Sequence, residues 1–318
     1  MEQELYKIRS ASACIKAAYS LFGSNLKTIF RRLWIPALAF AFIMAALVCT
    51  SSYTSQAAVE HPKLVMPLGI LQSSLYVLMV IALVWILASL FTMLNKFGFK
   101  RNLLQTTKLA ILQLVIDLVM VLIVAIPIVI AVVRQLKAVA AAQSADPLHT
   151  TALPQMQAAQ TLFTPALLGA IGIAVILWLI FELILLPIYY FYMKYMMEPI
   201  HIRTHLWKSF KTGFRYWGFL FVTFFMMGLL LLCLYLVLFM PLGILHTAQS
   251  LSLAGIIMGD PSGLPSHIYI LQFITSLATF FVFTFLVVWA VLVLYYAYGS
   301  IEQKETERKA IAPQHDNN

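Results

Sequence analysis

An all-α, polytopic membrane protein with six transmembrane helices is the fold class this sequence predicts, on three observations. Of 318 residues, 62% are hydrophobic and only 10% are charged, whereas a soluble domain carries about one charged residue in four. The apolar residues gather in long uninterrupted runs that reach the length needed to cross a bilayer. Those runs do not alternate polar and apolar, as the strands of a membrane β-barrel would.

Residues 4–30 place Ile8, Ala11, Ile15, Tyr19, Phe22, Leu26 and Ile29/Phe30 three or four apart, with Lys7, Arg9, Lys16 and Lys27 mainly on other faces. This pattern predicts an amphipathic helix lying apolar side down in the headgroup region, interrupted at Gly23-Ser24-Asn25. It is too long for the basic region of a cleavable signal, so the first span reads as an uncleaved anchor. Pro36 is expected to mark the elbow into that span, about 33–50. A polar loop over 51–66 leads to span two, about 68–94, with Trp85 at its middle. A basic connection over 95–108 precedes span three, about 109–133, which holds Asp117 and is bent by Pro127. An Ala- and Gln-rich loop, 135–164, is too polar to cross.

Span four, about 165–193, contains Trp178, Glu182 and Pro187 and ends in an aromatic belt running from Tyr189 to Tyr195. A second basic amphipathic segment covers 198–216, and span five runs over about 217–240 to stop at Pro241. The loop 241–268 carries an apolar piece, Leu251 to Met258, of interfacial or re-entrant length. Span six, about 269–298, has Trp289 and closes in Tyr295, Tyr296 and Tyr298. The domain description is a single six-helix unit over 1–299 with a polar cytoplasmic tail over 300–318.

Orientation follows from the basic residues. Eighteen of the 21 Lys and Arg residues fall on one side of the predicted spans, leaving only Lys63, Arg134 and Lys137 on the other. The positive-inside rule therefore places both termini in the cytoplasm, in a cell inner membrane. The same distribution makes the net charge of +9 a membrane signal, so no nucleic-acid partner is expected. Cys14, Cys49 and Cys233 have no pairing or metal-ligand spacing and read as small packing residues. The central tryptophans read as packing residues too, or as rings near a bound lipid.

Lys27-Thr28-Ile29-Phe30-Arg31 nearly recurs as Lys211-Thr212-Gly213-Phe214-Arg215, each time ahead of an outward span. The even spans all return with a central Trp. This predicts three tandem hairpin units, about 1–95, 96–197 and 198–299, each an interfacial helix followed by two spans. Lys27 with Arg31, and Lys211 with Arg215, share a helical face and would contact lipid headgroups, anionic on the cytoplasmic side.

Asp117 and Glu182 are the acids inside predicted spans, both toward the cytoplasmic half. An ionised acid there costs a few kcal/mol, about 3 on insertion scales, so each must be protonated, partnered or facing water. One reading is a proton or cation site shared by spans three and four. The other is structural, with Gln113 one turn before Asp117, and Pro187 opening a backbone carbonyl near Glu182. His201 and His205 stand four apart, a weak metal pair without a third ligand nearby. The remaining histidines, among them His246 and His267, are placed in loops or the tail, so no intramembrane iron site is expected. No phosphate loop, nucleophile elbow or zinc-type Cys pairing is present, and no cofactor is implied.

Tyr19-Ser20-Leu21-Phe22, then Asn25, Lys27, Phe30 and Arg31-x-x-Trp34, resembles small six-span inner-membrane proteins of Bacteroidota. Those are distantly similar to the membrane domain attached to some glycerophosphodiester phosphodiesterases and to YciC-like inner-membrane proteins. The resemblance implies a six-span fold; no phosphodiesterase catalytic domain accompanies it here. Three function classes remain open. The leading one is a non-enzymatic structural or accessory protein binding lipid, a membrane-protein partner or a second copy of itself. The second is a small-solute or proton-linked transporter using Asp117 and Glu182, and the third is a lipid-modifying membrane enzyme.

Overall fold

The structure, a computed structural model, describes residues 5–145, 165–199, 202–258, 265 and 267–311. Among them it is all-helical: α1 Ala11–Ser24, α2 Leu26–Glu60, α3 Val65–Leu94, α4 Phe99–Ala145, α5 Pro165–Met197, α6 Ile202–Arg215, α7 Trp217–Ile257 and α8 His267–Ile311, with a 3-10 turn at Pro62–Leu64. Six of these helices (α2, α3, α4, α5, α7 and α8) are long and apolar enough to span a membrane, which makes the chain a multi-pass membrane protein. Helices prevail because the apolar interior of a bilayer offers backbone groups no water, and a helix satisfies them within one segment.

The chain divides into two compact units, residues 1–110 with 187–318, and residues 111–186. In the larger unit α2 packs along both α3 and α8, while α1 lies against α8 and α7. Ala41, Leu242 and Phe280 form a buried centre, with Met44, Val48 and Phe239 against it. The second unit consists of α4 from Ile111 onward and the first two-thirds of α5, and almost none of the most apolar stretch of α4 is buried.

Several helix ends differ from the sequence expectation. The elbow is not at Pro36, which lies buried inside α2; it is at Asn25, whose side chain donates to the Leu21 carbonyl at 3.0 Å and ends α1. The predicted Gly23-Ser24-Asn25 interruption is thus the hinge. Residues 51–60, expected as loop, continue α2. Pro241 does not stop α7, which runs on to Ile257 and absorbs the piece expected to be re-entrant. A proline costs one backbone hydrogen bond, and in both helices neighbouring turns carry the helix through. The turn Asp260–Gly263 lies outside the described residues.

The shared pentapeptide also changes meaning. In the first unit it follows the hinge at Asn25 and belongs to the spanning helix α2. In the last it precedes the hinge at Tyr216 and belongs to the short helix α6. The two copies therefore do not occupy equivalent places. Helix α4 starts at Phe99 without a separate interfacial helix before it.

Helix α1 turns one stripe inward and leaves another exposed. Ala11, Cys14 and Ala18 are buried, whereas Tyr19 is 71% exposed. Small side chains on that stripe let α1 approach α8 and α7 closely. Ahead of it, a strap over Leu5–Arg9 crosses α8 at Gly299 and Ser300: the Arg9 N–H donates to Ser300 Oγ at 3.0 Å, and Ser300 Oγ donates back to the Arg9 carbonyl at 3.1 Å. Leu5 is buried directly over Gly299, where a Cβ would meet the Leu5 carbonyl oxygen at 2.5 Å. The boundary expected at 299/300 falls inside α8, and Ser300, Ile301 and Glu305 are buried.

Candidate functional site

The intramembrane acids lie in one unit. Asp117 is half-buried on α4 and accepts a hydrogen bond from Gln113 Nε2 at 2.7 Å. Glu182 is half-buried on α5, close enough to Asp117 to feel its charge. Two carboxylates within electrostatic range favour holding one proton, or one cation, between them. The Gln113 contact is the one the structural reading expects, so the pair carries features of both readings. Neither acid lines any of the five cavities described below or at the surface.

Among the basic residues expected at headgroups, Lys27 and Arg31 are exposed and share a surface groove of about 550 Å³ with Leu26, Phe30 and Trp34. Cations beside apolar walls suit a phosphate over its acyl chains. On α6, Lys211 is exposed next to an aromatic row in which Trp207 stacks on Phe210, and Phe210 contacts Phe214. Trp207 is 77% exposed, while the opposite side of α6 buries Ser209 and sets Gly213 on Pro187.

Arg215 is engaged differently. Its Nη1 donates to Glu305 Oε1 at 2.7 Å, fastening α6 to α8. His205 is partly exposed on α6, and His201 lies outside the described residues. Among the described residues no three His, Cys, Asp or Glu side chains converge as a metal site would require.

Two constellations escaped the sequence reading. One is a charged cluster where α5 meets α8. Lys194 Nζ lies 2.6 Å from Glu302 Oε1 and 3.6 Å from Glu198. Tyr190 OH donates to Glu302, and Tyr298 OH donates to Glu198 at 2.8 Å. Just outside the spans, burial first and the Glu305 charge second push the Tyr216 hydroxyl above the usual tyrosine range. Several basic residues counted as topological signals therefore also hold the protein together, Arg9 over the Tyr296 ring and Lys304 over Phe219 among them.

The other is an uncharged chamber toward the opposite end of α8, where it meets α2 and α7. Gln272 is fully buried on α8 and exchanges two amide hydrogen bonds with Gln249 of α7, at 2.8 and 2.9 Å. Its Nε2 also donates to Ser52 Oγ at 2.9 Å, and Tyr269 OH donates to Gln56. Ser52, Gln56, Gln249 and Tyr269 line a cavity of about 330 Å³. Ser52 and Gln56, four apart, share a helix face; that spacing was the available signal, hidden because 51–66 and 241–268 read as loops.

No family model, curated protein or solved structure matches this chain.

The central tryptophans also separate. Trp289 is buried, but Trp85 is 38% and Trp178 45% exposed, so two of the three face outward rather than packing. Of the cysteines, Cys14 is buried and Cys233 exposed. His246 lies within α7 rather than in a loop.

Proposed function

We propose that this is a non-enzymatic accessory protein of the cell inner membrane, with both termini cytoplasmic, whose basic end binds anionic lipid. The exposed groove of Lys27, Arg31, Phe30 and Trp34 carries this reading, and the aromatic-basic face of α6 supports it. The resemblance to six-span Bacteroidota proteins fits the same description. Tandem units also remain part of the proposal, supported by a short helix ahead of α2 and another ahead of α7 rather than by the pentapeptide. In nanodiscs, wild type should enrich phosphatidylglycerol over phosphatidylcholine. Each juxtamembrane cation is worth roughly 1 kcal/mol, so Lys27→Gln with Arg31→Gln should lower that enrichment by about 20–30-fold. Unchanged enrichment in the double variant sinks the reading.

A second reading, a proton- or cation-coupled transporter, has one observation in its favour: Asp117 and Glu182 interact electrostatically. If it holds, Asp117→Asn with Glu182→Gln abolishes proton flux in reconstituted vesicles. Identical proton leak in wild type and the double variant removes it.

A further inference from the structure

The uncharged chamber continues into a second cavity, of about 480 Å³, and Ser52 and His246 line both. The second is walled by Met44, Val48, Phe239 and Leu242, with Tyr76 of α3 exposed at its rim. Both cavities run along α2 and α7 in the same order, hydroxyls and amides toward the helix ends and apolar walls toward the middle. From Met44 to Ser52 the apolar part extends about 12 Å along α2, at 1.5 Å per residue. Among the described residues, none lining either cavity is Lys, Arg, Asp or Glu.

We propose that the joined cavities bind a membrane lipid with an uncharged, hydroxyl-rich headgroup, a glycosyl- or acylglycerol in class, with the headgroup among Gln56, Gln249 and Ser52 and a chain against Met44 and Phe239. A phosphate placed there meets amides and hydroxyls but no cationic side chain except His246 when protonated, so it would lose its hydration largely uncompensated. A hydroxyl-rich headgroup finds donors and acceptors that can replace water one for one. The amide pair of half-buried Gln249 and buried Gln272 fixes the chamber before any ligand arrives. A drug-sized ligand site spans about 300–1,000 Å³, and each cavity falls in that range. This site is at the other end of the spans from the Lys27 groove and stands or falls separately from it.

The test uses the full chain in phosphatidylcholine nanodiscs, titrated with monoglucosyl diacylglycerol or with phosphatidylglycerol of the same chains, bound lipid being counted by native mass spectrometry. Glucosyl lipid should bind at least about tenfold more tightly than phosphatidylglycerol, as one or two extra headgroup hydrogen bonds allow. Gly243 lines the apolar cavity, and a Cβ there meets nothing within 4 Å; Gly243→Leu should fill it and abolish binding while preserving the melting temperature. Gly172→Leu, equally open but elsewhere, should bind as wild type, as should Lys27→Gln with Arg31→Gln. Gln249→Ala should erase the preference between the two lipids. Equal affinity for phosphatidylglycerol, competition by free glucose at the lipid's own concentration, or a folded Gly243→Leu protein that still binds would each overturn the proposal.

Discussion

Gly299 shows how much one missing methyl can matter. With the Leu5 carbonyl oxygen 2.5 Å and its Cδ1 2.6 Å from where a Cβ would sit, Gly299→Ala must push the Leu5–Arg9 strap off α8. Overpacking of this kind costs about 1–3 kcal/mol, and the melting temperature in detergent should fall accordingly. Ser276 makes the opposite case. It is buried, and its Oγ has no hydrogen-bond partner among the described residues, so Ser276→Ala should be neutral or stabilising, by up to about 1 kcal/mol in the same assay. Cys14 is fully buried, and burial pushes its thiol up to about 11. The raised value means the neutral thiol persists throughout pH 6–9, so maleimide should label Cys14 only after denaturation, with no rise in rate across that range. Prompt labelling of Cys14 in the folded protein would contradict its placement.

Among elements, α6 is the informative one because two separate devices hold it. Gly213 lets it sit on Pro187, and Arg215 ties it to Glu305. The Glu305 side chain is 7% exposed and that of Arg215 is 39%, so solvent screens the pair in part and its coupling should be about 1–2 kcal/mol. A double-mutant cycle with Arg215→Gln and Glu305→Gln, followed by thermal unfolding, measures it. Such ties were not legible in the sequence. The spans were, since length and hydrophobicity specify them locally. Helix ends were misplaced wherever polar residues lay on a helix rather than between helices: Ser52, Gln56 and Gln249 read as loop, yet each faces a partner across α2, α7 and α8. Pro36 and Pro241 misled for a related reason, because a proline's local cost is outweighed by the helix on both sides of it. The pairing of Glu302 and Glu305 with Lys194 and Arg215 joins residues about a hundred positions apart, and no local pattern encodes that.

For the whole molecule, charge and hydrogen bonding divide the two ends of the spans. One end gathers ion pairs and cation–aromatic contacts around α5, α6 and α8; the other holds neutral amides and hydroxyls around α2, α7 and α8. A bilayer with an anionic cytoplasmic leaflet orients such a protein with its basic end inward. Reporter fusions after residues 62 and 150 should therefore report the extracytoplasmic side, and fusions near residues 97 and 305 the cytoplasm. A cytoplasmic readout at 62 and 150 would reverse the orientation. Both acids within the spans were visible in the sequence. That Asp117 and Glu182 come within electrostatic range of each other depends on how the helices are placed, which composition does not determine.

The strap over α8 also bears on biogenesis. Arg9 and Ser300 are 291 residues apart, so the strap leaves the ribosome roughly 15–60 s before its docking site exists, at ~5–20 residues synthesised per second. During that interval Leu5 has nowhere to bury, and the earlier helices must insert without it. Closure of the strap is then the last assembly step, a latch reporting that the final helix is in place. Proteolytic accessibility of the first ten residues during translation, and its loss on completion, would follow that latch directly.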